Sequence, residues 1–230
     1  MKAGSGREDA KRRAGESAAD LATDGDLVGL GTGSTAAHAI RALGRRVDAG
    51  LDVRGVATSY QARERAREAG VPLVALDAVE SPDLAVDGAD RVADDGAALI
   101  KGGGAAHARE RVVDAAADRF VVVVDRTKLT DALDRPVPVE VLPDARATVA
   151  RRLREAGGDP ALRRAERKDG PVVTDNGNLV FDCAFGTVDD PGSLAARLDG
   201  VPGVVAHGLF VGLADEVHVG HADGVTVRRP

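Results

Sequence analysis

The sequence predicts an α/β fold: a doubly wound, mainly parallel sheet with helices on both faces, plus a smaller α+β domain. Three observations carry this. Short apolar runs alternate with segments of helical spacing through the first 130 residues, the pattern of successive βαβ units. Phe120–Val124 is nearly continuous β-branched sequence, as expected of a strand covered on both faces. Beyond residue 130 the rhythm changes to a proline cluster and a hairpin signal. The expected division is residues 1–130 with 206–230 as a Rossmann-like domain, and residues 131–205 as the small α+β domain.

In order along the chain, Leu27–Gly31 is a short apolar run after a turn, and Ser34–Arg46 follows with helical spacing at Ala37, Ile40, Ala42 and Leu43. Asp52–Ala57 is a second strand. Gln61–Ala69 is a charged helix closed by Gly70. Val71–Leu76 and Asp83–Val86 read as short strands, and Ala105–Ala117 as the next helix. After Pro136, Pro138 and Pro143 a helix is expected over Ala145–Ala156. Asn176–Gly177 then lies between two β-rich runs, which predicts a type I′ hairpin turn. The remaining apolar runs, VVAHGLF, EVHVG and GVTVRRP, are short strands.

Composition narrows the function. No apolar run approaches the roughly 18 residues of a membrane span, and the charged N-terminus has no apolar stretch behind it as a secretory signal requires. A single cysteine, Cys183, excludes an internal disulfide framework and a cysteine metal cluster, so a reducing, cytoplasmic setting is the expectation. Net charge is −6 and aromatics are 2%, which disfavours nucleic acid: phosphates are repelled and bases find little to stack on. The charged set holds 27 Asp to 10 Glu and 26 Arg to 5 Lys. Where Arg is the habitual cation, each Lys marks a place that needs a compact ammonium.

Four loops follow strand ends, and in a parallel sheet such loops converge at the carboxyl edge. The first, Gly29-Leu-Gly-Thr-Gly-Ser-Thr35, offers backbone N–H groups, a helix N-terminus and the hydroxyls of Thr32, Ser34 and Thr35, which suit a phosphate. The competing reading is a tight βα turn with Ser34 as N-cap. No Lys precedes Ser34 or Thr35, so it is not a Walker loop, and the next strand ends Ala57-Thr58-Ser59 without the acid an NAD site requires. The second loop is Asp87-Gly88-Ala89-Asp90, without calcium-loop spacing. The third is Lys101-Gly102-Gly103-Gly104, leading to Arg109 and Glu110. For a lone glutamate in that position a surface salt bridge with Arg109 or Arg111 is the commoner fate. The fourth is Asp125-Arg-Thr-Lys128. His218 and His221 lack partners at metal-ligand spacing, and His38, His107 and His207 are expected to be structural. No metal or other cofactor is expected.

Read in order, GLGTGSTAAHAI, VATSYQA, DLAVDGAD, LIKGGGAAHARE, VVVVDRTKL, PVPVEVLP, GPVVTDNGN and PGVVAHGLF resemble ribose-5-phosphate isomerase of the type A family, nearly end to end. The resemblance implies metal-free interconversion of D-ribose 5-phosphate and D-ribulose 5-phosphate, a step of the non-oxidative pentose phosphate pathway. It implies that Thr32, Gly33, Ser34 and Thr35 hold substrate. Asp87, Gly88, Ala89 and Asp90, with Lys101, Gly102, Gly103 and Gly104, would surround the sugar. Glu110 matches the family's general base, Lys128 a lysine near the phosphate, and Lys11 falls about where the family often has an N-terminal lysine. Arg91 stands where the family commonly has Glu, the spacing from DGAD to Lys101 is one residue longer, and His107 replaces a usual apolar residue.

The residue chemistry agrees. Aldose–ketose isomerisation moves a proton between C2 and C1 through an enediolate, which requires a carboxylate base and a cation or donors at the developing oxyanion. Glu110 supplies the first, Lys101 and the glycine N–H groups the second, and Asp87 and Asp90 handle hydroxyl protons. The expected partner is a small sugar phosphate, with neither nucleic acid nor membrane, in a homodimer or homotetramer. Two other readings stay open: a related-fold sugar-phosphate deaminase or lactonase, and a non-catalytic sugar-phosphate sensor or binding domain.

Overall fold

The computed structural model describes residues 2–167 and 169–230, with side chains from residue 6 onward. In chain order the elements are α1 (Lys2–Ala19), β1 (Leu27–Leu30), α2 (Ala36–Asp48), β2 (Arg54–Ala57), α3 (Tyr60–Glu68), β3 (Leu84–Gly88), β4 (Arg91–Ala93), β5 (Ala98–Ile100), α4 (His107–Ala116), β6 (Phe120–Asp125) and β7 (Leu129–Thr130). They continue with β8 (Val137–Val141), α5 (Arg146–Glu155), β9 (Asp159–Leu162), β10 (Leu179–Ala184), α6 (Pro191–Asp199), β11 (Val204–His207), β12 (Leu209–Val211), β13 (Glu216–Gly220) and β14 (Val225–Arg228). Contacts divide the chain into two compact units, Met1–Ala89 with Arg109–Leu129 and Gly212–Pro230, and Asp90–Ala108 with Thr130–Val211.

The first unit is built on a six-stranded sheet of order β14-β13-β6-β3-β1-β2. Every neighbouring pair is parallel except β13–β14. Strand β6 is buried at all six residues, as its β-branched run predicts. On one face Val28, Leu30, Val86, Val121 and Val123 meet Ala14 and Ala18 of α1 and Ala39, Ile40 and Leu43 of α2. On the other, Gly29 and Ala85 lie under α4, where a Cβ on Gly29 would stand 2.6 Å from Val113. Helices therefore cover both faces, and the predicted fold class holds.

The second unit has an antiparallel sheet of order β11-β8-β10-β9, and a smaller one in which β12, β5 and β4 pair antiparallel with β7 at the edge. Val137, Val139, Val141, Phe181 and Cys183 pack with Val149 and Leu153 of α5 and Leu194 and Leu198 of α6.

Two local expectations are corrected, and one further helix is found. Val71–Leu76 forms no strand: it makes a single parallel bridge, Gly55 to Leu73, and then a short 3₁₀ turn at Leu76–Ala78. Pro72 has no N–H to extend the ladder. The Asn176–Gly177 turn is not type I′, because Gly177 (φ 83°) has positive φ and Asn176 does not. Thr174 is the reason: its hydroxyl accepts from the N–H groups of Asn176 and Asn178, which holds a right-handed turn closed by a left-handed glycine. The further helix is α1, in an N-terminal stretch whose hydropathy pattern predicts no element. It packs through the small stripe Ala10, Ala14 and Ala18, with Gly15 close enough that a Cβ would meet Ala39 N at 2.7 Å.

Candidate active site

In the first unit β1 is flanked by β2 on one side and β3 on the other, so the loops leaving β1 and β3 diverge. That is the topological switch point where open α/β sheets bind ligands. Two predicted loops meet there. The Thr32 N–H donates to Asp87 Oδ1 (2.9 Å), and the Gly88 N–H donates to the same oxygen (2.6 Å), so the fully buried Asp87 carboxylate is held rigidly. Gly31 makes this possible, since a Cβ there would lie 2.2 Å from Asp87 Oδ1.

The rest of the loop is anchored by residues that the sequence reading did not single out. Thr32 Oγ1 is hydrogen-bonded to the hydroxyls of Thr58 (2.9 Å) and Ser59 (2.7 Å), and Gln61 Oε1 accepts from the Gly33 N–H (3.1 Å). All three lie in VATSYQA just past the carboxyl end of β2, which was the available signal. Helix α2 opens at Ala36 with Thr35 in the cap position and no side-chain capping bond. The Ser34 N-cap reading is therefore corrected; Ser34 is exposed and leaves its hydroxyl at the mouth of the loop.

Lys128 ends the short turn after β6 and is half-buried. Asp125 sets that turn by accepting from the Thr127 N–H (2.9 Å) and hydroxyl (2.5 Å). Burial pushes the Asp125 carboxyl up, but the Thr127 hydrogen bonds and the charges of Arg7 and Lys128 outweigh it and hold it below the usual range. Lys11 is buried and donates to Glu8 (2.7 Å). Glu110 lies in the first turn of α4 and is only 4% exposed. Glu110 is thus not a surface residue: it occupies the dipole-positive end of a helix, where a carboxylate is favoured.

In the second unit Lys101 is 2% exposed. Its N–H donates to Gly208 O (2.8 Å), and its ammonium stands 5.3 Å from the Phe210 ring centre, within cation–π range. The Gly103 N–H donates to Asp90 Oδ2 (2.7 Å), so the third loop directly orients an aspartate of the second. Gly102 (φ 97°) and Ala105 (φ 58°) are both left-handed, and a Cβ on Gly102 would strike the His107 ring at 2.7 Å. His107 is fully buried, and its pKa is lowered to about 3, first by burial and then by the charge of Arg163. His218 is hydrogen-bonded to Ser17 (2.9 Å) and Glu216 (3.1 Å), a structural role. Among the described residues no group of three or more His, Cys, Asp or Glu is placed to hold a metal ion, and no helix is long and apolar enough to cross a membrane.

Residues 54–224 match the family described as ribose 5-phosphate isomerase A (phosphoriboisomerase A). The ribose-5-phosphate isomerase A of Halorubrum lacusprofundi is 64% identical over 100% of both chains. The chain belongs to the ribose-5-phosphate isomerase A family. Among solved structures, that of ribose 5-phosphate isomerase A from Methanocaldococcus jannaschii superposes with a TM-score of 0.93 at 44% identity, covering 97% of this chain and 100% of the other. A D-ribose-5-phosphate isomerase in complex with phospho-erythronic acid has the same TM-score at 41% identity, covering 97% and 99%. As a member of the ribose-5-phosphate isomerase A family the chain is an aldose–ketose isomerase, and the sensor, deaminase and lactonase readings fall away.

Proposed function

We propose that this chain interconverts D-ribose 5-phosphate and D-ribulose 5-phosphate with Glu110 as the base that carries the proton between C2 and C1. The observation that supports it best is the burial of Glu110 in the first turn of α4, since buried ionisable groups cluster at functional sites. In the forward direction Glu110 takes the C2 proton, electron density moves onto the C1 oxygen, and an enediolate forms. The same group returns the proton to C1 as the C2 hydroxyl becomes the ketone. Lys101 and the N–H groups of Gly102 and Gly104 stabilise the oxyanion, where a preorganised donor is worth about 10² to 10³ in rate, while the Gly103 N–H holds Asp90.

Asp87 and Asp90 serve the hydroxyl protons and ring opening. Asp87 is held by two backbone N–H groups and Asp90 by one, so both present their remaining oxygen in a defined direction. Thr32, Gly33, Ser34 and Thr35 bind the phosphate together with Lys128, and this remote binding energy orients the reacting end. Gly88 and Ala89 carry the backbone past the sugar. The enzyme works in the cytoplasm as a homodimer or homotetramer.

The test is Glu110→Gln. Gln is nearly isosteric, so binding of phospho-erythronic acid should stay within about threefold, while turnover falls by about 10² to 10⁴ and exchange of the C2 hydrogen with solvent falls in step. Near-normal turnover in this variant would sink the mechanism.

A further inference from the structure

We infer that Arg163 is a positioning residue for the isomerisation: it holds the Gly102–Gly103 peptides, and through them Asp90, in working orientation. The inference rests on the reading that Asp90 and the Lys101–Gly104 loop face the sugar. Arg163 is 60 residues from the loop in sequence, at the end of β9, and its side chain is 15% exposed.

Its guanidinium is divided between two tasks. Nε donates to Asp182 Oδ2 (2.8 Å) and Nη2 donates to Asp182 Oδ1, a two-point fork on β10 that fixes the plane of the group. The remaining edge turns to the loop, where Nη1 donates to Gly102 O (2.9 Å) and Gly103 O (3.3 Å). A peptide whose carbonyl is held on one side must present its N–H on the other, because the unit is planar. The N–H on the peptide whose carbonyl is Gly102 O is that of Gly103, and it donates to Asp90 Oδ2 (2.7 Å). Arg163, one peptide plane and the Asp90 carboxylate therefore form a continuous relay. A glycine triplet is otherwise the most pliant backbone available, so its orientation must come from outside. His107 closes the same loop from beneath, against Gly102.

Lysine cannot replace this arrangement in full. It can reach a carbonyl, but it has no planar fork to be fixed by Asp182. The experiment compares Arg163→Met, Arg163→Lys and Asp182→Asn with the wild-type enzyme, measuring kcat, KM for ribose 5-phosphate, melting temperature and amide hydrogen exchange at Gly103. A misplacement on the order of 1 Å costs up to about 10² in rate. Arg163→Met should thus lower kcat by about 10- to 100-fold with KM changed less than threefold, and Gly103 should exchange faster. Arg163→Lys should recover part of kcat, and Asp182→Asn should show a smaller loss of the same kind.

Turnover of Arg163→Met within twofold of wild type, a loss carried by KM alone, or unchanged Gly103 exchange would each overturn the proposal. Should Arg163→Met fail to fold, Asp182→Asn and Arg163→Lys decide it by the same readings. If the site reading itself is wrong, Glu110→Gln stays active while Gly103 exchange still responds to Arg163, so the two failures are told apart.

Discussion

His107 makes the stability of this protein depend on pH in a way that can be worked out in advance. Its imidazole is fully buried, and its pKa is lowered to about 3, by burial first and then by the charges of Arg163, His207 and Lys101, which outweigh a backbone hydrogen bond to Ala206. In the unfolded chain the same group titrates near 6.5. Between these values the unfolded state binds a proton that the folded state refuses, so stability rises with pH across the window and is complete above about 6.5. At pH 5 the unfolded chain gains about 1.5 pH units of protonation energy, or about 2 kcal/mol. For a chain of this size that corresponds to a melting temperature roughly 4 to 8 °C lower than at pH 7.5. His218 and His38 are also lowered, by burial above all, and add in the same direction. The assay is urea unfolding of wild type and His107→Leu at half-unit steps from pH 4.5 to 7.5. The variant should lose about one proton from the slope of stability against pH. An identical slope in both proteins would refute the argument.

Gly31→Ala should damage two properties at once. The new Cβ would stand 2.5 Å from Asp87 Cα as well as against its carboxylate, so the backbone must shift. Overpacking of this kind costs about 1 to 3 kcal/mol, and chemical unfolding should register it together with at least a tenfold loss of kcat. A stable, fully active variant would show that the Thr32–Asp87 contact is dispensable. Lys128→Ala should raise KM for ribose 5-phosphate about tenfold or more while solvent exchange at C2, at saturating substrate, stays within a fewfold of wild type; a kcat-only defect would move Lys128 from binding to chemistry. Molar salt should raise the melting temperature relative to dilute buffer, because the Asp excess and Lys scarcity leave a net charge of −6 whose self-repulsion salt screens. An unchanged or lower melting temperature would leave codon composition as the source of the bias.

The legible parts of the fold were those written in short-range patterns. The run at Phe120–Val124 could only be a covered strand, and each glycine- or lysine-bearing loop followed a strand, so the carboxyl edge of the sheet is predictable from sequence alone. Helix α1 was not legible because its buried stripe is alanine, which carries almost no hydropathy contrast against its neighbours. Pro72 ended a strand that its apolar neighbours advertised. The grouping of residues 90–108 with 130–211 depends on the antiparallel pairing of β5 with β12, a contact over more than 100 residues that no window of sequence contains. The same holds within the candidate site. Its loops were visible, but the burial of Glu110 and the bracing of Gly102 by Arg163 are properties of packing, and a lone Glu or Arg in sequence gives no sign of either.

Strand β13 has a consequence for how the protein comes into being. It is the last strand but one, yet it lies inside the six-stranded sheet, between β6 and β14, and Gly220 at its end presses so closely on α1 that a Cβ would touch Ala10 O. During synthesis the first unit thus lacks an interior strand from the time β6 is made until β13 follows, a wait of roughly 5 to 19 s at about 5 to 20 residues per second. Throughout that time β6 exposes an unpaired backbone edge at five positions, Val121 to Val124 and Asp125, the kind of template on which nascent chains aggregate. A chain truncated before Glu216 should therefore accumulate as insoluble material, and a permuted chain that begins at β13 and joins the old ends should fold earlier on the ribosome than the natural one.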